Sequence, residues 1–368
     1  MEITAIEVTR HVLPLDPPFQ AAWDPTPRAQ FAATMVRVQT DTGHEGVGSG
    51  DDMVGFETYR SLFVGEHPLS LRRHAAILDN IAFHAGRCWP LDLALWDLAG
   101  KILGQPVWRL LGGNEPNVPL YASTGALREP DAFADFAEEL ADSGFAAMKI
   151  RVRPKAWRED IKILRRVRAR IGRRLEIMVD CNQAWRMPWD DTQPIRVGEL
   201  MPMVRAFEEL GVFWLEEPLG RGDLQGLAEL RGKSDIAIAG GEMARELSEL
   251  ERAVAARSYD IIQPDAALTG GITGLRDLAA VARSQGIRFT PHTWTNGLGV
   301  LANAHLFAGV GGAPFLEFPY DSAGWTPERR DFFLERPIEA ERGALTLSER
   351  PGFGVTLDEA QLAATRVS

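Results

Sequence analysis

From residue 117 onward the chain keeps one rhythm, a short apolar run followed by an amphipathic segment. The runs are VPLYAS, AAMKIRV, LEIMVD, VFWLEEP, IAIAGGE, DIIQPD, RFTPHT and FLEFP, with helical patterns between them at 131–142, 157–170, 199–210, 246–257 and 272–285. A strand that is followed by a helix must return beside its predecessor in the same direction, so the alternation predicts parallel pairing. Eight such units over roughly 200 residues are the number that closes a β/α barrel.

The part before 117 has a different grammar. ITAIEVTRHVL and ATMVRVQTDTGHEGVGSG read as antiparallel strands, the second turning at Asp41-Thr42-Gly43. Between them, 16–30 carries four prolines and no periodicity, which predicts a loop. Helices are expected near 55–66 and 70–80. A longer one is expected in PLDLALWDLAGKILGQPVWRLLGG, where Leu91, Leu95, Leu98, Ile102 and Leu103 share a face until Gly104 and Pro106 interrupt it.

The barrel strands end on charge. In order they deliver Lys149 and Arg151, then Asp180, Glu216, Glu242, Asp265, His292 and Glu317. The last six are 36, 26, 23, 27 and 25 residues apart by subtraction, each close to one strand–helix unit. In a β/α barrel the C-terminal strand ends converge on one mouth, where active sites are built. Packing alone does not select a carboxylate or imidazole at each of those positions.

Asp180, Glu216 and Glu242 form a hard, all-oxygen set that suits Mg²⁺. Without a His–Cys cluster, zinc is disfavoured. Asp265 and His292, on successive strands, can pair so that the carboxylate orients the imidazole for proton transfer. Glu217 is expected to point away from Glu216 by strand alternation.

Bulk features narrow the partners. A formal net charge of −11 leaves no basic footprint for nucleic acid or an anionic membrane. Two cysteines, Cys88 and Cys181, exclude a disulfide framework and are expected as buried thiols. MEITAIEVTRHVLPL reads as a strand rather than a signal peptide, and the most apolar stretch, 298–318, contains Asn303, His305 and Glu317 and fits a buried helix and strand better than a membrane span. The expected location is the cytoplasm.

With those residues in place, the chain resembles the enolase superfamily, mandelate racemase subgroup. The matching pieces are LALWDLAGKILGQPVWRLLGG, MKIR, VDCNQAW, WLEEP, AGGE, QPDAALTGGITG, PHT and FLEFP, in order over nearly the whole chain. The resemblance implies an α+β capping domain (1–116, with 326–368 returning to it) over a (β/α)7β barrel (117–325). It implies Mg²⁺-assisted abstraction of the proton α to a carboxylate, and a homo-oligomer. Asp180, Glu216 and Glu242 are then the metal ligands and Asp265–His292 the base dyad. Lys149 faces the developing enolate, and a protonated Glu317 hydrogen-bonds the substrate carboxylate. Asn182 and Trp185 are expected beside the metal loop, with Asn182 touching substrate. Trp23 and Arg28, in the loop at 16–30, and the stretch 50–57 are expected to close over the barrel and select substrate.

One position departs from the pattern. Racemases that this chain resembles read Lys-x-Lys where it has Lys149-Ile150-Arg151. Arginine stays protonated and is a poor base, so two-base racemisation is disfavoured. Dehydration of an acid sugar ranks first, cycloisomerisation of a sugar lactone second and epimerisation third. A non-catalytic anion-binding barrel predicts gaps in the ligand set, and the sequence has none. A metallohydrolase would need a His-rich set that is equally absent. His11, His44, His67, His74, His84 and His305 are expected to be structural or surface residues.

Overall fold

The computed structural model describes residues 1–185, 193–321 and 324–367. The N-terminal sheet has β1 (Ile3–Phe19), β2 (Arg28–Thr40) and β3 (Glu45–Gly50) in antiparallel order β1-β2-β3. The proline-rich segment is therefore less of a loop than expected. β1 runs through Pro17 and Pro18, and Phe19 pairs Arg28 across a register irregularity between Pro14 and Phe19. Prolines cannot donate to a ladder, but at such an irregularity the missing N–H costs little. Only 20–27 remain as a connection.

The segment near 55–66 forms a single 3₁₀ stretch, Phe56–Leu62, in place of an α-helix. Phe56 is its one buried residue, so no apolar stripe is there to offset the cost of helix nucleation. Helices at Leu71–His84 and Pro90–Leu103 follow. The second lies so close on β3 that a Cβ on Gly46 or Gly48 would come within 2.2 Å of the Ala94 or Pro90 carbonyl oxygen. Only glycine permits that approach.

The barrel strands are β4 (Asn117–Ser123), β5 (Ala147–Arg151), β6 (Glu176–Asp180), β7 (Val212–Glu216), β8 (Ala237–Gly240), β9 (Ile261–Ile262), β10 (Arg288–Phe289) and β11 (Leu316–Pro319). They pair in parallel from β4 to β10, and β11 pairs β4. Between β10 and β11 the gap is bridged by Ala313 N donating to Phe289 O at 3.1 Å. Seven strand–helix units and a final strand make a (β/α)7β barrel. Inside it Tyr121, Ala147, Met178, Trp214, Ala239 and Ile261 pack together as a filled core layer. Aligned register puts Arg151 opposite Asp180 and Asp180 opposite Glu216, at one level of the mouth.

Buried polar ties hold cap and barrel together. Thr273 Oγ1 donates to Asp92 Oδ1 at 2.6 Å and accepts from Trp96 Nε1 at 2.8 Å. After the barrel, β12 (Ala344–Thr346) pairs antiparallel with β4, and the helix Glu359–Thr365 brings the chain back to the N-terminal sheet, where Val367 N donates to Arg10 O at 2.8 Å. His305 is structural. Its Nδ1 accepts from Trp108 N at 3.0 Å, and burial pushes its pKa down to about 3, which keeps it neutral. Both cysteines are free and buried, and no described helix is long and apolar enough to cross a membrane.

Candidate active site

Two of the strand ends are shorter than the sequence suggests. Asp265 and His292 each lie three residues past β9 and β10, by subtraction, because Pro264 and Pro291 lack the N–H a ladder needs. Backbone pairing nevertheless carries on to the mouth, with His292 N donating to Pro264 O at 3.0 Å, and that bond sets His292 beside Asp265.

Asp180, Glu216 and Glu242 each offer an oxygen within 4.8 Å of the others, and all three are buried. Glu242 Oε2 has no hydrogen-bond partner among the described residues. Burial, reinforced by Asp180, Glu242 and Glu317, pushes Glu216 up to about 8 despite the pull of Lys149. Three crowded carboxylates with an orphaned oxygen are costly unless further positive charge sits among them. A divalent cation with hard-oxygen preference meets that need, so the residues present fit one.

Lys149 is fully buried, and its Nζ lies 2.6 Å from Glu216 Oε1, 2.8 Å from Glu317 Oε1 and 3.5 Å from Asp180 Oδ2. Burial alone would discharge it, but Glu216 and Glu317 outweigh burial and hold it protonated. Arg151 Nη1 contacts Asp180 Oδ2 and reaches Asn182 Oδ1 at 3.3 Å, while Nε donates to Thr124 O at 3.0 Å. The surrounding carboxylates, Asp180 foremost, outweigh burial and raise its pKa further.

His292 Nδ1 is 2.9 Å from Asp265 Oδ2. With Asp265 accepting, Nδ1 carries the hydrogen and Nε2 faces the site, 3.6 Å from Glu242 Oε2 and 3.8 Å from Glu317 Oε2. Burial would lower this histidine, but Glu242, Glu317 and Asp265 outweigh it and push it up to about 10 among the protein's own charges. Positive charge placed on Glu242 acts the other way and frees Nε2 to accept a proton.

Glu317 accepts from Lys149, from Ser123 Oγ at 2.7 Å and from Thr293 N at 2.9 Å. Burial would raise its pKa, yet Lys149, His292 and Arg151 prevail and hold it well below the carboxylate range among the protein's own charges. Glu217 is not part of the carboxylate triad, and it follows β7 with a φ of 46°. Its buried carboxylate has no hydrogen-bond partner among the described residues, and burial together with Glu242 pushes its pKa well up.

A cavity of about 550 Å³ opens above these groups, lined among others by Trp23, Arg28, Asn182, Trp185 and Trp294. Trp23 lies 5.1 Å from the Trp294 ring, edge-on, and the Arg151 guanidinium stands 4.7 Å from the Trp23 ring centre. The segment carrying Trp23 is pinned by Ala22 N donating to Gly125 O at 2.7 Å. Arg28 is engaged by Asp24, with Nη2 at 2.9 Å from Oδ1. Gly50 and Asp51, from the second expected closing stretch, also line the cavity.

Sequence reasoning passed over several supports. Asn303 Nδ2 donates to Asp265 Oδ1 at 2.8 Å, and Gln263 Nε2 donates to Glu216 Oε2 at 3.0 Å. A lone asparagine in the apolar helix Gly297–Val310 was the available signal for Asn303. Ser123 and Thr293 gave none.

Fold and site together define a β/α-barrel mouth built to hold a divalent cation opposite a His–Asp dyad. The comparisons agree. The family model described as "Enolase C-terminal domain-like" matches residues 132–361, and that of the mandelate racemase / muconate lactonizing enzyme N-terminal domain matches 3–112. The chain belongs to the enolase superfamily, in its mandelate racemase subgroup. It is 28% identical to D-galactarolactone cycloisomerase of Agrobacterium fabrum, with 100% of this chain and 99% of the relative covered. A putative mandelate racemase from Bordetella bronchiseptica, solved with 2-oxoglutarate/phosphate, superposes with a TM-score of 0.88 at 26% identity, covering 100% of this chain and 98% of that one. L-talarate/galactarate dehydratase from Salmonella typhimurium, liganded with Mg and L-lyxarohydroxamate, gives 0.83 at 25% identity, covering 100% and 93%.

Proposed function

We propose that this chain is a Mg²⁺-dependent enzyme that removes the proton α to the carboxylate of a small hydroxy acid, and that its reaction is dehydration of an acid sugar. The observation that carries this reading is one mouth holding three crowded carboxylates and, facing them, a histidine whose Nδ1 is fixed by Asp265 at 2.9 Å.

Asp180, Glu216 and Glu242 would hold Mg²⁺, which supplies Lewis-acid stabilisation of charge on the substrate carboxylate. His292 Nε2 takes the α-proton, while Asp265, steadied by Asn303, holds the tautomer and stabilises the imidazolium. Lys149 donates to the carboxylate oxygens as their charge grows, and a donor so placed is worth roughly 3–4 kcal/mol in the transition state. Glu317 positions Lys149 and fixes the Thr293 backbone. Arg151 stays protonated and acts as a fixed cation beside Asp180, with Asn182 accepting from it. One base on one face then removes the α-proton, and the imidazolium returns it to the departing β-hydroxide, so water leaves syn.

Within this reading, 1–116 and 326–368 form the cap, which presents Trp23 and Arg28 to substrate, and 117–325 form the catalytic barrel of a cytoplasmic homo-oligomer. Cycloisomerisation of a sugar lactone is the second reading, favoured by the full-length similarity to D-galactarolactone cycloisomerase.

A library of acid sugars assayed for 2-keto acid formation tests the reaction, with a dehydration product expected from at least one member. Failure of every acid sugar to dehydrate, with a lactone isomerised instead, transfers the assignment to the second reading. The single-base claim has its own check in deuterated water. Arg151→Met is expected to weaken substrate binding yet still exchange the α-proton. Were Arg151→Met to lose exchange of one epimer while His292→Asn kept it, Arg151 would be a base and the dehydratase reading would fall.

A further inference from the structure

The cavity is lined by more arginines than its carboxylates neutralise. Most of them are already engaged. Arg28 is held by Asp24, Arg151 by Asp180, and Arg221 Nε lies 3.3 Å from Glu249 Oε2. Arg87 and Arg245 line the cavity with Asp51, and of the two only Arg87 contacts that carboxylate directly. Arg87 Nη2 lies 3.2 Å from Asp51 Oδ2, and its Nη1 donates to Leu268 O at 3.2 Å. Arg245 is exposed to the cavity, and among the described residues it forms no direct ion pair. Arg87 and Arg245 are close enough to repel, and Asp51 feels the attraction of both. Two guanidiniums thus share one carboxylate, in a chain whose net charge is −11.

A surplus cation on the wall of a cavity is a recognition element for an anion, and a guanidinium fits a carboxylate in particular because its N–H groups match both oxygens. In the proposed reaction the metal end takes one substrate carboxylate. We propose that the substrate is a hydroxylated dicarboxylate, with its distal carboxylate held by Arg245 and assisted by Arg87. This rests on the α-proton reading for the proximal end. The distal contact is the same in ground state and transition state, so it should act mainly on KM.

The test pairs acids that differ only at the far carbon, galactarate against D-galactonate and D-glucarate against D-gluconate. Each is assayed for loss of the α-proton in deuterated water with Mg²⁺, and for binding to the Mg²⁺-loaded protein by calorimetry. The wild type is expected to prefer one diacid over its matched monoacid by roughly 10–100-fold in kcat/KM, the range for a charge-assisted hydrogen bond. Arg245→Ala should lower the diacid's kcat/KM at least tenfold more than the monoacid's, chiefly through KM, and Arg245→Lys should restore part of the difference. Monoacids handled as well as their matched diacids, or an Arg245→Ala loss that falls equally on both, overturns the proposal. If no acid loses its α-proton, the α-proton reading fails, and the calorimetry decides the subsite alone. A diacid binding preference that Arg245→Ala removes supports it, and no such preference overturns it.

Discussion

Replacing Glu216 by glutamine is expected to abolish turnover, together with the stabilisation that Mg²⁺ gives the wild type. Glu216 is tied to several parts of the site. It neighbours Asp180 in the ladder, accepts from Lys149 at 2.6 Å, and is oriented by Trp214 Nε1 at 3.1 Å and Gln263 Nε2 at 3.0 Å. Loss of one of three carboxylates leaves a set too poor to retain Mg²⁺, and it frees Lys149 from the geometry that aims it. The wild type should gain about 2.7 kcal/mol of stability at a Mg²⁺ concentration 100 times its dissociation constant. In Glu216→Gln that gain should vanish. Each protein is compared with itself, with Mg²⁺ and in EDTA, because the amide also sets an NH₂ group against donors that Glu216 now satisfies, Lys149, Trp214 and Gln263. Near-normal turnover at limiting Mg²⁺ would remove Glu216 from the ligand set.

The second large effect is at the base. His292→Asn should lose roughly 10²–10⁴-fold in kcat, the range for general acid–base catalysis, with the fold intact. Asparagine can still meet Asp265, whose other oxygen stays bonded to Asn303 and to Ala267 N at 2.8 Å. Because His292 contributes to the chemistry rather than to retention of the cation, Mg²⁺ should stabilise this variant as it does the wild type. That separates it from Glu216→Gln. A His292→Asn protein that turned over normally would remove the dyad from the mechanism.

How much of this was legible in the sequence follows from which residues act locally. The barrel could be read because each strand–helix unit writes its own periodicity, and the mouth because Lys149, Asp180, Glu216, Glu242, Asp265, His292 and Glu317 each close or follow a strand. Other features depend on neighbours distant in the chain. The hold of Lys149 on Glu317, 168 residues later by subtraction and 2.8 Å away, is encoded by no local pattern. Nor is the positive φ of Glu217, one residue past β7. Prolines misled twice, promising a longer loop at 16–30 and concealing how early β9 and β10 end. Arg245 and Arg87 were invisible as a pair, since cap and barrel must come together before they share one wall.

The central claim is that a divalent cation on Asp180, Glu216 and Glu242 lets His292 remove an α-proton. The most direct measurement follows the α-hydrogen of an acid sugar by NMR in deuterated water, with enzyme and Mg²⁺, then with excess EDTA, then with Mg²⁺ restored. The account predicts loss of the α-hydrogen signal in the first case, with a 2-keto product carrying deuterium on the adjacent carbon, no loss in the second, and recovery in the third, with His292→Asn silent throughout. Loss of the α-hydrogen that persists unchanged in EDTA, or that survives in His292→Asn, would contradict it.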